Sequence, residues 1–105
     1  MNDYSELLVD YEVGVSFSQV SGFEILELLD TRSRLALGES QLNAAEKEQL
    51  EKADEVFLAQ AAEFYEQVAA VADIREMRRR AAVPISHWWW HLEKISRLEK
   101  AAATA

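Results

Sequence analysis

Apolar residues recur at steps of three and four through most of this chain, the spacing of a helix that buries one face. The longest such series is Leu50, Ala53, Phe57, Ala61, Phe64, Val68, Val71 and Ile74. No glycine or proline interrupts the chain from Ala44 to Ala82, so propensity agrees with periodicity. Asn43 and Glu46 have the spacing of a capping box, in which side chain and backbone satisfy each other's free groups at a helix start. Arg75, Arg78, Arg79 and Arg80 place positive charge where the negative end of the helix dipole would lie. The reading is one helix over residues 43–82, about 60 Å long at 1.5 Å per residue.

The flanks read as shorter elements. Phe23, Ile25, Leu26, Leu29, Leu35 and Ala36 predict a helix over 18–37, with Ser21 and Glu24 at capping-box spacing and Gly38 as its left-handed cap. Residues 1–17 form an N-terminal arm: Val9, Tyr11, Val13, Val15 and Phe17 alternate like a strand, yet no second strand-like run exists to pair with them. An irregular arm or short helix is expected there instead. Pro84 forces a turn, Ser86 caps a third helix over 86–100, and 101–105 is a frayed tail. The expected fold is all-α and a single domain over 1–105: one long central helix with two shorter helices, as a helical hairpin or bundle.

Composition narrows the setting. A chain of 105 residues supports one modest core. With no cysteine it has neither disulfides nor thiolate metal sites, which fits a reducing, cytoplasmic compartment. No apolar run approaches the ~20 residues of a membrane span, and Met1-Asn2-Asp3 is acidic where an export signal would be basic. The net charge of -8 argues against general nucleic-acid binding. It is unevenly spread: residues 1–35 carry seven acids and two bases, 36–74 nine and two, and 75–105 three and seven. Such polarity lets the basic end pair with the chain's own acidic part, with an antiparallel second copy or with an acidic partner. A 60 Å seam that neither short helix can cover favours the second copy, and the expected assembly is a homodimer.

Three features invite a chemical reading. Trp88, Trp89 and Trp90, placed 100° apart on a helix, cannot share a face. Trp88 falls on the side of Leu92, Ile95 and Leu98 and is the expected core residue, which leaves Trp89 and Trp90 for an interface. His87 and His91 stand four apart, a spacing that lets two imidazoles share a metal, although a third ligand would have to come from elsewhere. Arg75, Arg78, Arg79 and Arg80 are candidates for contact with a partner or with phosphates. No Gly-rich phosphate loop, nucleophile setting or isolated carboxylate pair suggests an enzyme, and no cofactor is called for. The expectation is a helical protein-protein interaction or scaffold module. Its rivals are a small antitoxin-like regulator touching nucleic acid through the arginines and a metal or haem carrier using His87 and His91.

Overall fold

Ser21, Asn43 and Asp73 each turn a side-chain oxygen onto a free backbone amide, of Glu24, Glu46 and Arg75 respectively, and a helix begins at each. The computed structural model describes residues 3–17 and 19–104, without the side chains of Asp3 and residues 99–104. It contains six α-helices: α1 (Asp3–Val15), α2 (Gly22–Leu37), α3 (Ala44–Ala59), α4 (Ala61–Ala69), α5 (Ile74–Arg80) and α6 (Leu92–Thr104). Short 3-10 turns lie at Glu39–Gln41 and Trp88–Trp90. There is no strand among the described residues. The all-α expectation holds, and α1 packs on α2 and α3 while α4 lies between α2 and α6.

The single helix over 43–82 is not present; α3, α4 and α5 replace it. At Gln60 the backbone opens to φ -110°, ψ 9°, and its amide bonds the Phe57 carbonyl three residues back. The Gln60 carboxamide donates to the carbonyl of Val15, one of the acceptors that the end of α1 leaves without a helical partner. Between Ala70 and Asp73 the chain turns again, and the Asp73 carboxylate starts α5. The molecule measures 41 × 33 × 24 Å, so a straight 60 Å rod has no place in it.

The seam nevertheless reads correctly through both breaks. Leu50, Ala53, Phe57, Ala61, Phe64, Val68 and Ile74 are buried, and only Val71, in the second turn, is exposed. Helices of the same chain cover it, which removes the need for a second copy that a long uncovered seam would create.

The N-terminal arm is a helix from Asp3 to Val15, with Ser16 and Phe17 in the turn after it; residues 1 and 2 lie outside the described residues. Leu8, Tyr11 and Val15 face the core at helical spacing, whereas Val9 and Val13 face out. The second helix starts at Gly22, later than residue 18, because Ser21 is extended (φ -66°, ψ 153°) and serves as its cap; Ser18 itself lies outside the described residues. A Cβ at Gly22 would overlap the Gln67 carbonyl oxygen, so the bare backbone lets α2 start against α4. Gly38 is not left-handed (φ -112°); it is small because the Tyr4 ring lies where its side chain would be. The third helix starts at Leu92, not after Ser86, since residues 88–90 form the 3-10 turn, and its backbone stays helical to Thr104, beyond the expected end at 100. Ala105 lies outside the described residues.

Candidate functional site

Arg32 stands on the inward stripe of α2 with Ile25, Leu28, Leu29 and Leu35, and it is only 4% exposed. A cation so placed needs fixed partners. Its Nε and Nη2 donate to the two carboxylate oxygens of Asp54 at 2.9 and 3.1 Å, and Nη2 also donates to Glu39 at 3.1 Å. The Tyr11 hydroxyl donates to Asp54 Oδ1 at 2.6 Å. Burial opposes the Arg32 charge, but the hydrogen bond and charge of Asp54 outweigh it, and the pKa is raised. Tyr11 is pushed up first by its own burial and then by Asp54. Arg32 Nη1 has no hydrogen-bond acceptor among the described residues; the guanidinium lies 4.2 Å from the Trp89 ring centre, where the electron-rich ring face offsets part of that lack.

The tryptophans meet the next residue of the same helix. Trp89 Nε1 and Trp90 Nε1 both donate to Ser33 Oγ at 3.0 Å, and His87 Nδ1 lies 3.0 Å from the same oxygen. Two indole donors occupy both lone pairs of the hydroxyl, so its own proton goes to His87 Nδ1, and the imidazole there is neutral with hydrogen on Nε2. A serine beside a histidine is the start of a nucleophile-base pair. Here the oxygen has no lone pair left for attack, and the group is a structural knot joining α2 to the turn before α6.

This placement reverses the helical reading of the tryptophans. Trp89 and Trp90 are 3% and 6% exposed, and Trp88 is half-buried with its edge on Phe57. Because α6 starts only at Leu92, the stripe of Leu92 and Ile95 does not run back to Trp88, and the indoles of Trp89 and Trp90, in the 3-10 turn before it, both reach Ser33. The surfaces assigned to an interface lie inside this chain's own core.

His87 and His91 flank the 3-10 turn and are not successive turns of one α-helix, so the spacing that suggested a shared metal is not realised. His87 stacks on Trp89 with ring centres 4.6 Å apart. His91 belongs to a second network, beside Arg78 and Lys94, and its Nδ1 is shielded with no hydrogen-bond partner among the described residues. Burial lowers the pKa of both histidines, helped by Arg32 at His87 and by Arg78 and Lys94 at His91. Among the described residues no three His, Cys, Asp or Glu side chains converge to hold a metal ion.

Arg78 faces inward. It makes a two-pronged bond to Glu93 at 2.9 and 3.0 Å and caps the Trp90 carbonyl at 2.9 Å. Burial pushes the Glu93 carboxyl up, but Arg78 outweighs this and holds it below the usual range. Arg75 approaches Glu93 at 3.6 Å, and the exposed Arg79 and Arg80 share Glu76. The arginines kept as contact residues thus divide: Arg78 locks α5 to the start of α6, and Arg75, Arg79 and Arg80 remain on the surface.

Arg32, Ser33, Asp54 and Glu93 are the polar residues that sequence reasoning missed. Arg32 had a signal, since it falls on the apolar period of α2 where a cation needs a buried partner. No helix among the described residues is long and apolar enough to cross a membrane. No protein-family model, no curated protein and no solved structure matches this chain.

Proposed function

We propose that this chain is a non-enzymatic helical module for protein-protein interaction that works as a homodimer. One observation carries the reading. Val9, Val13 and Phe17 are 57%, 54% and 59% exposed and follow one another along α1 and the turn after it, on the side turned away from the core. Phe23, at the start of α2, is exposed as well. Single exposed apolar residues are ordinary, but an aligned set along one helix and the turn that follows it is what a contact surface offers.

The polar networks support the same reading, because their best-placed groups are spent on each other. The Ser33 hydroxyl is saturated, and Arg32 and Arg78 each hold a carboxylate on two prongs. The internal role of Arg78 and the sharing of Glu76 by Arg79 and Arg80 weaken the antitoxin-like alternative. The different surroundings of His87 and His91 weaken the metal or haem carrier. Charge segregation along the chain favours a second copy as partner, and the absence of cysteine goes with a cytoplasmic setting.

Light scattering at micromolar concentration tests this directly. The expected mass is that of a dimer, and Val13→Asp, which puts a charge into the exposed column, is expected to give a monomer with unchanged helix content. A monomeric wild type overturns the reading.

A further inference from the structure

Two surfaces of this chain match each other in shape class and in charge. The first is a groove of about 270 Å³ between α1 and α2, floored by Gly14, Ile25 and Leu28 and walled by Phe17 and Val20. Asp10, Glu24 and Glu27 border it, and among the described residues no ion pair neutralises any of them. The second is the loop between α5 and α6. Ile85 at its tip is 91% exposed, the highest value for a large apolar side chain among the described residues. Arg75, Arg79, Val83 and Ile85 share one concave surface there. Around it four arginines, Arg75, Arg78, Arg79 and Arg80, face two carboxylates, Glu76 and Glu93, which leaves a positive surplus on a chain that is negative overall.

The loop is already shaped. Ala82 holds φ 50°, a left-handed conformation that a residue with a side chain rarely adopts, and Val83 N donates to the Arg78 carbonyl at 3.3 Å. Pro84 fixes the next backbone angle. A preformed apolar tip loses little freedom on docking.

We infer that two copies of this chain pair by seating the arginine-flanked Ile85 loop of one protomer in the acid-rimmed groove between α1 and α2 of the other. Apolar surface meets apolar surface at the centre, and cations meet carboxylates at the rim, the arrangement in which burial gives affinity and charge gives register. In a two-fold dimer the contact is made twice. The inference rests on the self-association proposed above, and Phe17, which ends the exposed column of α1 and walls the groove, is the residue common to both.

The test mixes two surface variants that each lose one half of the contact. Ile85→Asp removes the tip, and Glu24→Arg with Glu27→Arg reverses the groove rim; circular dichroism checks that both keep the wild-type helix content. Sedimentation at micromolar concentration is expected to show each variant alone as a monomer, with association weakened by more than about tenfold. Their equimolar mixture is expected to recover a dimer, because an intact loop then meets an intact groove. Wild-type association should also weaken between roughly 50 and 500 mM salt, as screening shortens the reach of the rim charges. A mixture that stays monomeric, or an Ile85→Asp variant that dimerises like wild type, overturns this pairing. A wild-type dimer that Val13→Asp alone abolishes leaves self-association standing with α1 as the contact, whereas a monomeric wild type removes both.

Discussion

Ser33 and His87, 54 positions apart, share a 3.0 Å hydrogen bond whose direction is set by two other residues. Trp89 and Trp90 both donate to the same oxygen, so the serine proton has only the imidazole to go to. One hydroxyl thereby satisfies three ring nitrogens and fixes where the chain enters α6.

Ser33→Ala removes that acceptor and leaves two indole N–H groups and one imidazole nitrogen unpaired in a largely closed site. The expected loss of stability is about 2–4 kcal/mol, since each stranded group carries its own desolvation penalty. Urea unfolding followed by tryptophan fluorescence measures it; a loss under ~1 kcal/mol would show that water replaces the serine.

Protonation of His87 attacks the same knot, because a proton on Nδ1 leaves Ser33 nothing to donate to. Burial, with Arg32 nearby, lowers the His87 pKa below 6.5, and burial with Arg78 and Lys94 does the same for His91. The unfolded chain therefore takes up these protons at higher pH than the folded one. Stability should be full above about pH 6.5 and fall as the pH drops through the lowered folded values. Glu93, held below 4.5 chiefly by Arg78 against its own burial, adds a further loss only in more acid solution. Unfolding midpoints at about pH 7.5 and 5.5 check the first step. His87→Asn, whose side-chain oxygen can accept from Ser33, should reduce it to the part that His91 contributes.

Asp54 neutralises Arg32 on two prongs and also accepts from Tyr11. Asp54→Ala should cost roughly 3–5 kcal/mol, because it leaves the buried cation with only the half-exposed Glu39 as a carboxylate partner. Removing the charge as well, in Arg32→Met with Asp54→Leu, should cost less than Asp54→Ala alone. Equal or greater loss in the double variant would mean that packing, not the stranded charge, sets the penalty.

Phe64→Ala tests the core where the chain bends. Phe64 is fully buried, with its ring 5.2 Å from that of Phe57 across the break at Gln60. The expected cost is about 3–5 kcal/mol, the range for removing a core aromatic. Calorimetry that finds under ~1 kcal/mol would show that α3 and α4 reseat around the gap.

The inward face of the chain was legible because steps of three and four survive a kink: Phe57 and Phe64 point the same way on either side of Gln60. The kinks themselves were not. Gln60 breaks the helix through a bond to Val15, 45 residues away, which no local propensity encodes. Asp73 did carry a signal, as a good capping residue inside an apparently continuous run. At the N-terminus the alternation of Val9, Tyr11, Val13, Val15 and Phe17 mixed two faces of one helix, Tyr11 and Val15 inward and Val9 and Val13 outward, with Phe17 exposed beyond its end. The tryptophans were misplaced because they were set on the helix of Leu92, Ile95 and Leu98, whereas they lie in a separate 3-10 turn that His91 parts from α6. Buried charge pairs such as Arg32 with Asp54 depend on which helices meet, and that is fixed only by the whole fold.

The loop that carries Ile85 stores strain at one residue. Ala82 sits at φ 50° directly after the last turn of α5, in the position that glycine usually fills at a helix end. Its Cβ crowds the backbone there by about 1–2 kcal/mol, whereas glycine has no such contact. Ala82→Gly gains that relief but gives the unfolded chain more freedom, an offset of about 0.4–1 kcal/mol. The net expectation is a gain of about 0 to 1.6 kcal/mol, which raises the melting temperature of a chain of this size by up to roughly 10 °C. Ala82→Val, with a branched side chain at the same angle, should lower it instead. If both substitutions lower the melting temperature, the left-handed angle at Ala82 is not a source of strain.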